Sequence, residues 1–225
     1  MELSQLTELA LSVHELLLRR YGPPALKPVK PPLDELIQTI LSQNTSDTNS
    51  ERAYESLRAA YPTWEAVRSA PTEDVAEAIR VGGLGRVKAP RIQSIIAQLE
   101  AERGSATLDA LRDMPVEEAR RYLLSLPGVG PKTAACVLLF SLGMPALPVD
   151  THVHRVSQRV GLIGSSASAE QAHTQLEALV PQGLYYPFHL LMIQHGRTLC
   201  KATNPRCSEC PLEGLCPFSA RQAEG

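Results

Sequence analysis

The 225-residue chain has no excess of charge of either sign: 22 Lys and Arg stand against 24 Asp and Glu, giving a net charge of −2 and a pI near 6.3. Strong binders of nucleic acid commonly carry a basic excess, so any contact with a polyanion has to come from a local patch. A basic, uninterrupted apolar start is also missing. The opening run MELSQLTELALSVHELLL contains Glu2, Glu8, His14 and Glu15, which excludes a secretion signal and a spanning helix there. No stretch alternates apolar and polar residues with the period of a strand, so β architectures are excluded as well. Four of the five cysteines fall in one short loop, and with no export signal this pattern points to metal or cluster ligation rather than disulfides. What remains is an ordinary folded composition, 44% hydrophobic, with enough chain for one large domain or two modest ones. The expected location is cytoplasmic, with the nucleoid, in a cell without a nucleus, and nuclear or mitochondrial in a cell with one.

Taken in order, the chain reads as helix after helix. Leu6, Leu9, Val13, Leu16 and Leu17 share a helical face, which dissolves into YGPPALKPVKPP, a proline-rich crossing between domains. Leu33, Leu36, Ile37, Ile40 and Leu41 form the next stripe. The polar run Gln43, Asn44, Thr45, Ser46 and Asp47 follows, and Thr48 with Glu51 has capping-box spacing for another helix. Short helices are expected around Trp64–Val67 and Glu73–Ile79, the second with Thr72 as N-cap. In VGGLGRVKAPRI, three glycines surround Leu84 in a tight loop with an apolar tip. Arg86, Lys88 and Arg91 follow at the start of a helix carrying Ile92, Ile95, Ile96 and Leu99. After helices over Leu108–Met114 and Pro115–Leu124, and beyond Asp150 over His152–Val160, Ser168–Val180 and Tyr186–Leu199, the expectation is an all-α fold.

The richest stretch is LPGVGPKTAACVLLFSLGMPALPVD, Leu126 to Asp150. Gly128 and Gly130 bracket Val129 in a turn where positive φ is cheap, and Pro131 suits the first position of a helix. The free N–H groups of such a helix start can hold a phosphate oxygen. Lys132 projects from that first turn, and the apolar run after it marks a core helix ended by Gly143 and Pro145. Further on, Cys200, Cys207, Cys210 and Cys216 are spaced C-x6-C-x2-C-x5-C. Structural zinc sites usually pair two short knuckles, and only one is present; by spacing alone zinc and an iron–sulfur cluster both stay open. Cys136, inside the apolar helix, reads as core packing.

These motifs resemble the helix-hairpin-helix DNA glycosylase superfamily, whose signature is LPGVGxKTA followed by a Gly/Pro loop and VDTH; the similarity is to the endonuclease III branch and runs through most of the chain. The resemblance implies a two-domain all-α fold. One domain is a six-helix barrel with the hairpin, residues 27–144; the other joins the N-terminal helix to an iron–sulfur domain, residues 1–26 and 145–225, and DNA lies in the groove between them. It implies a 4Fe–4S cluster on Cys200, Cys207, Cys210 and Cys216, with Lys201 and Arg206 in the pinned loop reaching phosphates. It also implies Lys132 as nucleophile and Asp150 as the carboxylate that stabilises the cationic sugar, with His152 lining the site. SQNTSD matches the loop that fills the gap left by a flipped nucleotide, with Asn44 at the amide position and Gln43 beside it. Leu84 matches the wedge on the other strand, with Gly85 in place of an aromatic. Arg86, Lys88, Gly128, Gly130 and Thr133 complete the expected DNA contacts. Partial burial and the positive helix end both disfavour the ammonium form of a lysine placed like Lys132.

The function implied is base-excision repair by a bifunctional glycosylase. It would remove oxidised pyrimidines from damaged double-stranded DNA and cut the abasic site by β-elimination through a Lys Schiff base, as a monomer with no membrane partner. The alternatives are a mismatch, uracil or adenine glycosylase of the same superfamily and a non-catalytic DNA-binding module that uses the hairpin as a phosphate clamp.

Overall fold

Helical periodicity runs through both compact units of the chain, Pro28–Met144 and Met1–Lys27 with Pro145–Gly225. A computed structural model describes residues 2–26 and 28–223, and among these residues there is no strand.

The unit Pro28–Met144 is built on α2 (Pro32–Leu41), whose Leu33, Leu36, Ile37, Ile40 and Leu41 are all buried. Proline at the first helical position starts it. Helices α3 (Asp47–Ala60), α4 (Trp64–Ser69), α5 (Thr72–Ala78) and α6 (Gly85–Arg103) follow. Ile92, Ile95, Ile96 and Leu99 give α6 a fully buried stripe at i, i+3, i+4 and i+7. Each such side chain contributes about 1.5–3 kcal/mol on burial. α7 (Val116–Ser125) leads through Leu126, itself buried, into α8 (Pro131–Cys136), which packs against α2. α8 runs directly into a π-helical turn at Val137–Ser141, a feature that apolar periodicity does not reveal. Cys136 is buried in this helix, as its apolar surroundings indicated.

Two helix starts differ from the sequence expectation. The cap of α3 is Ser46, whose hydroxyl accepts from the Asn49 N–H at 3.3 Å, so the helix begins before Thr48 and the Thr48–Glu51 pair caps nothing. Thr72 lies inside α5 as its first residue, after Pro71, and its hydroxyl donates instead to Gln93 Oε1 at 2.7 Å. In both places a proline or serine one or two residues upstream was the better start.

In the other unit, α1 (Leu3–Tyr21) packs against α10 (Ala169–Leu179) and α11 (Tyr185–Thr198), and α11 packs on α9 (Thr151–Val160). The sequence-distant ends are tied by polar contacts at the end of α1. Tyr21 Oη lies 3.0 Å from both His195 Nδ1 and Thr198 Oγ1, and Tyr186 Oη donates to the Ala25 carbonyl at 3.0 Å. A short helix, α12 (Pro217–Ala223), closes the chain against α9. No helix among the described residues is long and apolar enough to cross a membrane.

Candidate active site and nucleic-acid interface

The hairpin turn before α8 uses its two glycines differently. Gly128 adopts φ +69°, where a side chain is strained, and a Cβ there would run into the Arg91 guanidinium lying over the turn. Gly130 is the N-cap of α8 at φ −98° and ψ 177°, a conformation open to any residue, so the expected positive φ is present only at Gly128. A Cβ on Gly130 would meet nothing within 4 Å, and the open space leaves its backbone approachable. Lys132 is half-buried in the first turn. Thr133 has its side chain buried in the core as the apolar run continues, so any contact it makes at the helix start falls to its backbone N–H.

Asp150 opens α9 as its N-cap. Its Oδ1 accepts from the His152 N–H at 2.9 Å and the Val153 N–H at 2.8 Å, so one oxygen carries the whole cap. His152, one residue into α9, receives the Arg155 guanidinium at Nδ1, 3.0 Å away. A guanidinium only donates, so neutral His152 carries its proton on Nε2. Arg155 also donates to the carbonyls of Gly196 and Cys200, at 2.9 and 3.1 Å.

The extended segment leading into Asp150 is braced by three side chains that sequence reasoning did not find. The Leu147 N–H donates to Glu177 Oε1 at 2.9 Å, His173 Nδ1 donates to the Leu147 carbonyl at 3.0 Å, and His189 Nδ1 donates to the Pro148 carbonyl at 2.8 Å. These partners lie 26 to 41 residues away along the chain, beyond any local pattern. The one usable signal was a polar residue on the apolar faces of α10 and α11. We expect His189→Leu to leave the buried Pro148 carbonyl unpaired, to cost about 1–3 kcal/mol in denaturant unfolding, and to slow turnover more than it weakens DNA binding.

The two loops expected to enter DNA sit in the unit Pro28–Met144. Asn44 (φ 55°) and Leu84 (φ 55°) are two of only three described non-glycine residues with positive φ. Such a conformation costs a leucine about 1–2 kcal/mol and holds the side chain at a sharp corner. Leu84 is 52% exposed at this corner. Asn44 is exposed, whereas Gln43 is half-buried and its Oε1 accepts from Arg91 Nη1 at 3.1 Å. Gly85 has no room for a side chain: a Cβ would lie 2.5 Å from the Ala76 carbonyl oxygen of α5. Gly85→Ala should therefore push α5 and α6 apart at the root of the Leu84 corner and destabilise the fold by about 1–3 kcal/mol, read as a lower Tm.

Arg86 is exposed beside Leu84, but Lys88 is a correction. Only 1% of it is exposed, and its ammonium donates to the carbonyls of Leu41 at 2.7 Å and Gly82 at 2.9 Å. A buried ammonium spent on two carbonyls cannot contact phosphate. Burial pushes its pKa below the usual lysine value.

Cys200, Cys207, Cys210 and Cys216 line one small cavity together with Val160, Leu199, Leu212 and Phe218. All four thiols are free of disulfides. Four cysteines around one apolar-walled cavity are a donor set that fits an iron–sulfur cluster. Arg159 Nη1 approaches Cys200 Sγ at 3.3 Å, and the Leu212 N–H approaches Cys210 Sγ at 3.4 Å, contacts that favour thiolate sulfur. Burial, with the neighbouring Cys200, Cys216 and Cys207 adding to it, pushes the Cys210 thiol up to about 11, a bias that ligation by iron would reverse. Lys201 is exposed in the loop, while Arg206 is paired with Glu209 at 3.2 Å and donates to the Thr198 carbonyl.

Residues 37–182 match the model of the HhH-GPD superfamily base excision DNA repair protein, and residues 200–216 match the iron–sulfur binding domain of endonuclease III. The chain is 39% identical over 194 residues to endonuclease III of Thermotoga maritima, covering 86% of each protein. It is 38% identical over 192 residues to an Arabidopsis thaliana protein named as a DNA glycosylase, covering 81% of this chain and 66% of that one. A solved non-covalent endonuclease III–DNA complex superposes with TM-score 0.84 at 29% identity over the whole of both chains. The chain belongs to the HhH-GPD superfamily of base excision DNA repair proteins, within its endonuclease III branch. It is a DNA glycosylase of the AP lyase class that carries an iron–sulfur cluster.

Proposed function

We propose that the chain binds damaged double-stranded DNA as a monomer, excises oxidised pyrimidines and cuts the resulting abasic site. The observation that carries this reading is Lys132, half-buried in the first turn of α8 directly after the Gly128–Gly130 hairpin. The hairpin N–H groups and the dipole of α8 bind a backbone phosphate. The target nucleotide leaves the stack, Asn44 fills the gap, and Leu84 parts the bases of the other strand, an accepted use of an apolar wedge.

The neutral Lys132 amine then attacks C1′ as the bond from C1′ to the base breaks; the base departs with that electron pair and takes up a proton. Opening of the sugar ring gives the Schiff base between Lys132 and C1′. Loss of a C2′ proton expels the 3′ phosphate, and water finally hydrolyses the imine to free the lysine. Asp150 offers its negative charge to the cationic sugar as it develops, the oxygen outside the α9 cap being available for this. His152, held by Arg155, presents Nε2–H as a donor. Cys200, Cys207, Cys210 and Cys216 would hold the cluster, which would supply a structural pin for the loop that carries the exposed Lys201. Such an enzyme works where chromosomal DNA is, in the cytoplasm of a cell without a nucleus or in a nucleus or mitochondrion.

Base release from duplexes carrying one thymine glycol or one uracil tests the substrate class. The reading expects release and strand cleavage on thymine glycol at a kcat/KM at least about tenfold above uracil, roughly the discrimination that a few pocket contacts provide. A preference for uracil would assign the chain to the mismatch and uracil group instead.

A further inference from the structure

Lys88 has no part in the chemistry, yet it is one of the largest fully buried side chains among the described residues and carries an amine. Its Nζ donates to two carbonyls only, and no carboxylate pairs with it among the described residues. Holding a lone ammonium in a core is costly, and a residue of the same length without charge would fill the space. The two carbonyls lie at meaningful places. Leu41 is the last residue of α2, two residues before Gln43 and three before the Asn44 corner. Gly82 lies two residues before the Leu84 corner. The roots of the two loops are also in direct packing, since a Cβ on Gly82 would come within 2.9 Å of Ala53 Cβ and 3.8 Å of the Leu41 carbonyl oxygen. One turn further along α6, Arg91 makes a second tie by donating to Gln43 Oε1 at 3.1 Å.

We propose that Lys88 is a positioning residue that joins the root of the Asn44 loop to the root of the Leu84 loop, so that the gap-filling amide and the wedge enter the duplex as one body. The inference rests on the reading of Asn44 and Leu84 given above. A loop pair joined in this way gains little from one tip when the other is lost. Two independently hinged loops contribute separately, and their losses multiply.

The test is a double-mutant cycle on binding to a duplex with a tetrahydrofuran abasic analogue, which binds without reacting. Asn44→Ala, Leu84→Ala and the double variant are measured in the parent and in Lys88→Met, with Tm recorded for each. Each single change in the parent should weaken binding about tenfold, and the double change about 10–20-fold rather than the hundredfold product, a departure typical of coupled residues. In Lys88→Met the two losses should multiply to within about twofold. Multiplying losses in the parent overturn the proposal even if Lys88→Met fails to fold, and so does coupling that survives in Lys88→Met. If neither tip affects binding while the parent still releases thymine glycol, the loop assignment is wrong and the catalytic reading stands.

Discussion

Replacing Lys132 by Ala is expected to abolish both strand cleavage and the covalent adduct trapped by borohydride, with turnover falling by at least roughly 10³-fold, the scale of losing a covalent nucleophile. The fold should survive: the side chain is only half-buried, and alanine is the best helix former for that first turn. Binding to an abasic analogue should change by no more than about tenfold, because the hairpin N–H groups of Gly128 to Thr133 remain. Tm and binding measured alongside turnover separate loss of chemistry from loss of structure. Base release without cleavage in the alanine variant would show instead that water can serve as nucleophile at this site and that the lysine acts only in the lyase step.

The second large effect concerns Asp150, where structure and chemistry make separate demands on one carboxylate. Asp150→Asn keeps an oxygen that can accept from the N–H groups of His152 and Val153, and asparagine caps helices about as well as aspartate. Stability should therefore fall by only about 0.3–1 kcal/mol, the value of the lost charge at the α9 N-terminus. Turnover should fall by about 10²–10³-fold, as expected when a charge aimed at a developing cation is removed. Asp150→Ala should lose the same activity and, in addition, about 1 kcal/mol of stability from the vacated cap. If the asparagine variant were as active as the parent, the residue would be a cap and no more.

Much of this architecture was legible because it is local. The apolar stripe Leu33–Leu41, the run after Lys132 and the Ile92–Leu99 stripe each announce a helix and its buried face, and all three faces are buried in the structure. The cysteine spacing and the hairpin turn are short-range patterns too. Most of the misreadings share one physical origin, which is that neighbours in space are not neighbours in sequence. Lys88 sits between Val87 and Ala89 in a basic stretch and reads as surface, since lysine is almost never fully buried; only the packing of α6 on the carbonyls of Leu41 and Gly82 decides otherwise. Glu177, His173 and His189 hold the segment before Asp150 through contacts that no window of residues contains. The Ser46 cap was missed because Thr48 and Glu51 offered a complete capping box two residues too late.

The central claim is that the Lys132 amine becomes covalently joined to the sugar from which the damaged base is lost. Its most direct test is to trap the intact protein on a thymine glycol duplex with borohydride, digest the complex, and locate the sugar-bearing peptide by mass spectrometry. The account predicts that the modification falls on Lys132 and on no other amine. A sugar found on another lysine or on the N-terminal amine, or base release with no trapped peptide at all, would contradict it.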